Sequence, residues 1–234
     1  MNRFEISYHL ARILALLIAL ILHEIAHAVV ALWNGDPTAK NAGRISLNPA
    51  RHFDLLGLLM LLTLRFGYGK PVPINPYNFK NRRVGIFTVS IAGVTTNFLL
   101  AFISAGIYVP LLYKTGLNFA GAFGAVFLLS FFSLMVYINI FLMVFNLLPI
   151  YPLDGFRVVE SFTRYNNRYV MFMRNYGLYI LMGLFIISVL GDYLFPGLIA
   201  QYPFLDPLSY VITTVSSWII NPILTLWKII WGVI

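Results

Sequence analysis

Long apolar stretches separated by short polar segments dominate the pattern of this chain. An α-helix needs roughly 20 mainly apolar residues to cross the hydrocarbon core of a bilayer. Five stretches approach or exceed this length, and they cover residues 8–33, 84–113, 120–148, 174–195 and 208–234. The pattern therefore predicts an all-α polytopic membrane protein with about five to six transmembrane helices.

A sixth apolar run, residues 53–66, is short for a span and is interpreted as a re-entrant or interfacial segment. If this run does not cross, most Lys and Arg residues of the loops share one side of the membrane. The positive-inside rule favours this asymmetry, so we expect the N-terminus outside and the C-terminus in the cytoplasm. The predicted location is the cell membrane, with several spans.

The loop at residues 34–83 is punctuated by Gly, Pro and Asn, and residues 43–49 within it alternate in polarity and end at a proline. This pattern is typical of a short strand. Because lipid does not tolerate an open strand edge, we expect a small membrane-associated β element that lies at the surface or against protein.

The composition agrees with a membrane setting. The chain is 60% hydrophobic and 10% charged, whereas a soluble domain carries about 25% charged residues. The formal net charge of +8 comes mainly from loop Lys and Arg, which we expect to contact the lipid bilayer and no nucleic acid. The chain has no cysteine, so any metal ion would be bound by His, Asp or Glu.

The first apolar run also resembles a secretory signal peptide, because Arg3 precedes it and Ala26-His27-Ala28 mimics a small-x-small cleavage site. The run continues to Trp33, which is typical of a spanning helix instead. We therefore interpret residues 1–234 as a single transmembrane domain. Its core is residues 8–160, and the additional C-terminal helices are residues 174–234.

The first span contains His23-Glu24-Ile25-Ala26-His27, which matches the H-E-x-x-H pattern. On a helix the two histidines project from one face, about 6 Å apart along the axis, so both can bind one metal ion. Glu24 can then reach a water, whose pKa zinc lowers to about 7. A carboxylate at the bilayer centre costs about 3 kcal/mol, which favours a metal site over chance packing.

Such a site needs a third protein ligand, and Asp154 is the acidic residue in the most suitable position. It follows the third span in Asn146-Leu-Leu-Pro149-Ile-Tyr-Pro152-Leu-Asp154-Gly155, where two prolines break the helix. Non-helical backbone at membrane depth is tolerated where it packs in protein or lines a wet cavity. In the predicted topology Asp154 reaches the cytoplasmic depth of both histidines. An ordinary interfacial turn is the alternative.

The paired motifs resemble the site-2 protease family of intramembrane zinc metalloproteases, and the resemblance covers roughly residues 8–160. Gly93-Val-Thr-Thr-Asn97 is similar to the Gly-x-x-x-Asn element of that family. Pro71-Val-Pro-Ile-Asn-Pro76 is similar to a loop of its compact bacterial type, which has no PDZ or CBS domains. Asn97 either lines the site or forms a hydrogen bond between helices, and we favour the second role.

The resemblance implies that His23, His27 and Asp154 bind one Zn²⁺ ion and that Glu24 is the catalytic base. It also implies that Asn146 polarises the scissile carbonyl or stabilises the oxyanion. A fixed amide donor in a dry site can perform this chemistry. The alternative role of Asn146 is a helix C-cap.

The predicted function is hydrolysis of peptide bonds in transmembrane segments of membrane-protein substrates, or regulated intramembrane proteolysis, at a site towards the cytoplasm. The expected partners are a transmembrane protein or peptide substrate and a regulatory membrane partner. A substrate helix would unwind, and a strand near Ile45 would hold it by strand addition. Two alternatives use the same residues: a membrane transporter or metal carrier, and a scaffold without activity.

Overall fold

The computed structural model describes residues 3–52, 70–118, 122–164 and 166–234. In these ranges the chain forms α-helices joined by loops and three single 3₁₀ turns, at Pro49–Arg51, Pro76–Asn78 and Pro203–Leu205. In chain order the helices are α1 (Arg3–Trp33), α2 (Thr38–Asn41), α3 (Arg82–Lys114), α4 (Phe123–Leu147), α5 (Asp154–Phe162), α6 (Arg168–Leu194), α7 (Pro196–Gln201) and α8 (Pro207–Ile230).

Five helices of the described ranges, α1, α3, α4, α6 and α8, are long and apolar enough to cross a membrane. They coincide with the five predicted stretches, which confirms the all-α polytopic fold. The sixth helix begins earlier than expected because the Asn167 side chain accepts hydrogen bonds from the amides of Tyr169 and Val170 and caps its first turn. The run at residues 53–66 lies outside the described residues.

The strand predicted at residues 43–49 is wrong, since this segment forms turns and bends and the described part of the chain contains no strand. Side-chain hydrogen bonds connect this segment to neighbouring parts of the loop instead. The Arg44 guanidinium donates to three loop carbonyls, and His52 Nε2 donates to the Ser46 carbonyl 2.6 Å away. The strand edge that strand addition at Ile45 would require is therefore absent from this segment.

Three of the spanning helices, α1, α3 and α4, pack against one another and form the centre of the molecule. Every fourth residue of α1 is buried there, and this α1 stripe consists of Ala11, Ala15, Ala19, His23, His27 and Ala31. The matching α3 stripe consists of Gly85, Val89, Gly93, Asn97, Ala101, Ala105 and Val109. Small residues let two helix backbones approach closely, so the polar members of both stripes meet between the helices.

The last helix, α8, packs against α3 and α4. A tryptophan at its C-terminal end replaces a hydrogen bond that is missing within α3. Pro110 has no N–H to donate to the carbonyl of Gly106, four residues earlier. Trp231 Nε1 donates to that carbonyl from 3.0 Å, and Trp227 Nε1 donates to the Phe102 carbonyl, also from 3.0 Å. Two indoles therefore fasten α8 to α3.

Large apolar side chains cover the outer surface of the helices. Ile103 on α3 is 58% exposed, and Met182 and Ile186 on α6 are 53% and 55% exposed. Lipid satisfies such side chains without burial in protein, whereas water does not. Together with the five apolar helices, this surface identifies a multi-pass membrane protein.

Candidate metal centre

The three predicted metal ligands converge on one point. His23 and His27 belong to the α1 stripe, and Asp154 is the first residue of α5. The two Nε2 atoms are 2.9 Å apart, and Asp154 Oδ2 lies 3.3 Å from that of His23 and 3.1 Å from that of His27. In the described part of the chain, no other group of His, Asp or Glu could hold a metal ion.

Hydrogen bonds on the far side of each imidazole orient the Nε2 atoms. His23 Nδ1 lies 2.8 Å from Asn97 Oδ1, and His27 Nδ1 lies 2.7 Å from the carbonyl oxygen of Val89. Each oxygen accepts a hydrogen bond from the N–H at Nδ1, so the Nε2 atom of a neutral ring carries a lone pair. Both lone pairs are directed towards the carboxylate of Asp154. The interhelical bond predicted for Asn97 is present.

The arrangement fits a zinc ion. Two lone pairs and a carboxylate oxygen at these distances repel one another unless a cation lies between them. Asp154 Oδ2 is buried and accepts no hydrogen bond, which leaves it available to such a cation. Bonds of about 2.0 Å in a tetrahedral site place ligand atoms about 3.3 Å apart, close to the separations observed. Two imidazoles and one carboxylate suit zinc and leave a fourth position open.

Gly93 of the α3 stripe makes room for both imidazoles. A Cβ atom at this position would lie 2.5 Å from His23 Cε1 and 2.6 Å from His27 Nε2. Any larger residue would therefore displace the rings or separate α1 from α3. This is the physical reason for a glycine one turn before Asn97.

The turn between α4 and α5 holds Asp154 beside the histidines. Gly155 packs directly on the end of α4, where a Cβ atom would lie 2.1 Å from the Leu147 carbonyl oxygen. Asp154 Oδ2 thereby faces the Nε2 atoms of both histidines.

Glu24 and Asn146 lie in the wall of the cleft that contains the three converging residues. Both side chains are partly buried. Asn146 Nδ2 donates to the Leu142 carbonyl from 3.0 Å, which leaves its second N–H without a partner among the described residues. The C-cap residue of α4 is Leu148, so the alternative role of Asn146 as that cap is wrong.

Two residues of this site were not identified from the sequence. Val89 acts through its backbone carbonyl, so its side chain carries no signal of the role. Its position four residues before Gly93, on the same stripe, is the signal that could have located it. Arg157 follows Asp154 by three residues and lies in the cleft wall. The helical spacing after Asp154 would have placed it there.

Comparisons with known proteins agree with this description. A family model described as "Peptidase family M50" matches residues 118–190. The Bacillus subtilis (strain 168) protein named "Putative zinc metalloprotease YwhC" is 39% identical over 182 residues, which are 77% of this chain and 82% of that protein. The Mycobacterium tuberculosis (strain ATCC 25618 / H37Rv) protein named "Putative zinc metalloprotease Rip2" is 32% identical over 190 residues, which are 76% of this chain and 68% of that protein. No solved structure matches the chain.

A multi-pass helical protein with this His-His-Asp group, whose relatives carry protease names, is a membrane zinc metalloprotease. The chain belongs to peptidase family M50, the site-2 protease family that its paired motifs resemble. Zinc is its cofactor, as predicted. The protease names of the relatives favour this class over the transporter and the inactive scaffold.

Proposed function

We propose that the chain cleaves peptide bonds within transmembrane segments of membrane-protein substrates, from the cytoplasmic side of the cell membrane. One observation carries this proposal: His23, His27 and Asp154 converge inside a bundle of apolar helices, beside a cleft that contains Glu24. His27 lies six residues before the end of α1, or about 9 Å along the axis. This depth favours a peptide bond from a segment within the membrane.

Five polar residues of the cleft have roles in this proposal. His23, His27 and Asp154 would hold one Zn²⁺ ion, which would act as a Lewis acid and lower the pKa of water to about 7. Glu24 accepts a proton from the attacking water and later returns it to the leaving amine. Asn146 donates its second amide hydrogen to the carbonyl oxygen as negative charge develops there.

The substrate has to unwind before it reacts, because the carbonyl groups of an intact helix are already hydrogen-bonded. The cleft has a volume of about 140 Å³, and one apolar wall is formed by Pro71, Val72 and Ile74. Val72 packs against Ala28 and Ala39. This wall gives the apolar side chains of an unwound segment a surface to contact in place of lipid.

The proposal is tested by replacing the base and keeping the ligands. A Glu24→Gln variant is expected to retain one zinc ion, because His23, His27 and Asp154 are unchanged, and to lose cleavage by about 10³-fold. Metal analysis of the purified protein measures the zinc. Mass spectrometry of membrane-protein fragments from cells with the wild type or the variant measures the cleavage.

Glu5→Gln is the matched control, because Glu5 is the other carboxylate of α1 and lies near its opposite end. This variant is expected to keep both zinc and cleavage. Fragments that persist at the wild-type level with Glu24→Gln would contradict the mechanism. A wild-type protein that produces no fragments from any membrane protein would contradict the function. Comparison in cells that lack individual membrane proteins would identify a regulatory partner.

A further inference from the structure

A second cleft adjoins the candidate metal centre. The two clefts share four wall residues, Ile74, Val89, Ser90 and Arg157, so they lie side by side. The second cleft has a volume of about 250 Å³, and its apolar wall residues include Phe79, Ile86, Tyr151 and Phe156. Its size and walls suit one or two residues of an unwound, mainly apolar segment.

Three arginines line the second cleft, and two of them have partners. Arg174 forms an ion pair with Glu160, and the Arg82 guanidinium lies 5.4 Å from the ring centroid of Tyr77. Arg157 is partly buried and has no hydrogen bond or ion pair with any residue that the structure describes. A guanidinium is always charged, and burying it without a partner is unfavourable. The cleft therefore suits an anionic group at Arg157.

The positive charge of Arg157 lies close to the candidate metal centre. It lies three residues after Asp154 on α5, which places both side chains on one helix face, about 4.5 Å apart along the axis. A group bound by Arg157 therefore lies beside the reacting peptide bond, at a distance of a few residues along an extended substrate.

We propose that Arg157 is a specificity-determining residue, which binds the carboxylate of an Asp or Glu side chain close to the scissile bond of the substrate. This inference rests on the proposed function, because it assumes that a peptide occupies the metal-centre cleft. A planar guanidinium binds a carboxylate through two parallel hydrogen bonds, whereas Gln in the substrate offers one neutral acceptor. The shared walls of the two clefts favour a peptide over a lipid head group as the occupant.

Binding of labelled peptides measures this preference without relying on turnover. The zinc-loaded Glu24→Gln variant is placed in nanodiscs of phosphatidylcholine, which has no net charge. Fluorescent peptides of one apolar sequence carry a single Glu at successive positions, and a matching set carries Gln. At one or two neighbouring positions the Glu peptide is expected to bind about tenfold more tightly than the Gln peptide.

Further substitutions assign the preference to Arg157. Adding Arg157→Gln is expected to remove it, while Arg157→Lys keeps part of it because the positive charge remains. Arg168→Gln is the control for net charge, since Arg168 is exposed at the start of α6 and lies outside both clefts. This control is expected to leave the preference unchanged.

Three results would overturn the inference. The Glu preference could be absent at every position, or it could persist with Arg157→Gln. Alternatively, Arg157→Gln could weaken only the binding of phosphatidylglycerol vesicles, which would assign Arg157 to a lipid head group. Membrane-protein cleavage that depends on Glu24 but shows no Glu preference would reject the Arg157 role alone. A Glu preference without any membrane-protein cleavage would reject the proposed function alone.

Discussion

Single residues decide whether the metal centre can form, and the smallest of them is as important as the ligands. His23 and His27 need space on the facing helix, and Gly93 provides it. They also need their Nδ1 protons bound, and Asn97 and the Val89 carbonyl bind them. Outer hydrogen-bond partners of this kind fix the orientation of a metal-binding imidazole.

Gly93→Ala is expected to weaken zinc binding by about 10- to 100-fold, because the new methyl group overlaps both imidazoles. Competition with a chelator of known zinc affinity measures the change. Gly183→Ala is the control, since Gly183 is a helical glycine of α6 whose Cβ would meet nothing within 4 Å. Equal zinc affinity in both variants would show that the close approach at Gly93 is not needed.

The sequence indicated the side chains of the site better than its backbone groups. The H-E-x-x-H spacing and the Pro-rich turn before Asp154 predicted which side chains meet, because helical spacing and helix breaking are local properties. The acceptor at Val89 is a carbonyl, and every residue has one. Only the packing of α1 on α3 selects which carbonyl faces His27.

At the scale of elements, one buried carboxylate ties three segments together. Asp36, just after α1, accepts hydrogen bonds from the Thr38 amide and hydroxyl, from the Asn75 amide at 2.7 Å and from Asn78 Nδ2 at 2.8 Å. It thereby fixes α2 and the segment with the cleft wall residues to the end of α1. Burial alone would raise the pKa of Asp36, but these hydrogen bonds hold it below its ordinary value.

The lowered pKa predicts a stability contribution that depends on pH. A carboxyl with a pKa below its unfolded value of about 3.9 stabilises the fold above that pH and loses the effect as pH falls through the folded value. Asp36→Asn is expected to cost about 2 kcal/mol at pH 7, because an amide group must then face an N–H donor. Thermal unfolding in detergent at pH 7 and pH 3 measures this.

The difference in stability between Asp36→Asn and the wild type should therefore shrink at the lower pH. Thr38→Val offers a graded comparison, since it removes one of the donors and keeps the carboxylate. It is expected to cost less than Asp36→Asn. A loss of stability in Asp36→Asn that is the same at pH 7 and pH 3 would show that the carboxylate charge has no part in it.

The helices were predictable because each span is a long apolar run, but the loop structure was not. Residues 43–49 have the alternation of a strand and yet form none. Alternation predicts a strand only where another strand supplies hydrogen bonds. The described residues contain no partner strand, and the Arg44 side chain donates to the carbonyls of Arg51, Lys70 and Pro71 instead. The sequence alone does not show where a long side chain will fold back.

At the scale of the molecule, the predicted orientation places the loop before α3 in the cytoplasm and the connection after α3 outside. The chain has no cysteine, so single cysteines can report this directly. Tyr77, which is 84% exposed, and Thr115, which is exposed after the end of α3, are suitable sites.

A membrane-impermeant maleimide added to intact cells is expected to label Thr115→Cys and not Tyr77→Cys. After permeabilisation both variants should be labelled, which controls for the reactivity of each thiol. The reverse pattern in intact cells would place the metal centre on the outer side and would contradict the orientation derived from the basic loops.

Because α3 contains Pro110, its hydrogen bonding depends on Trp231, which follows α8. A polar backbone group left bare in hydrocarbon costs several kcal/mol, and the carbonyl of Gly106 would be bare without the indole of Trp231. Truncation of the chain before Trp231 would therefore also remove the hydrogen-bond donor of the Gly106 carbonyl. Trp231 could therefore be lost without this cost only where another residue replaces Pro110 and restores the helical N–H donor.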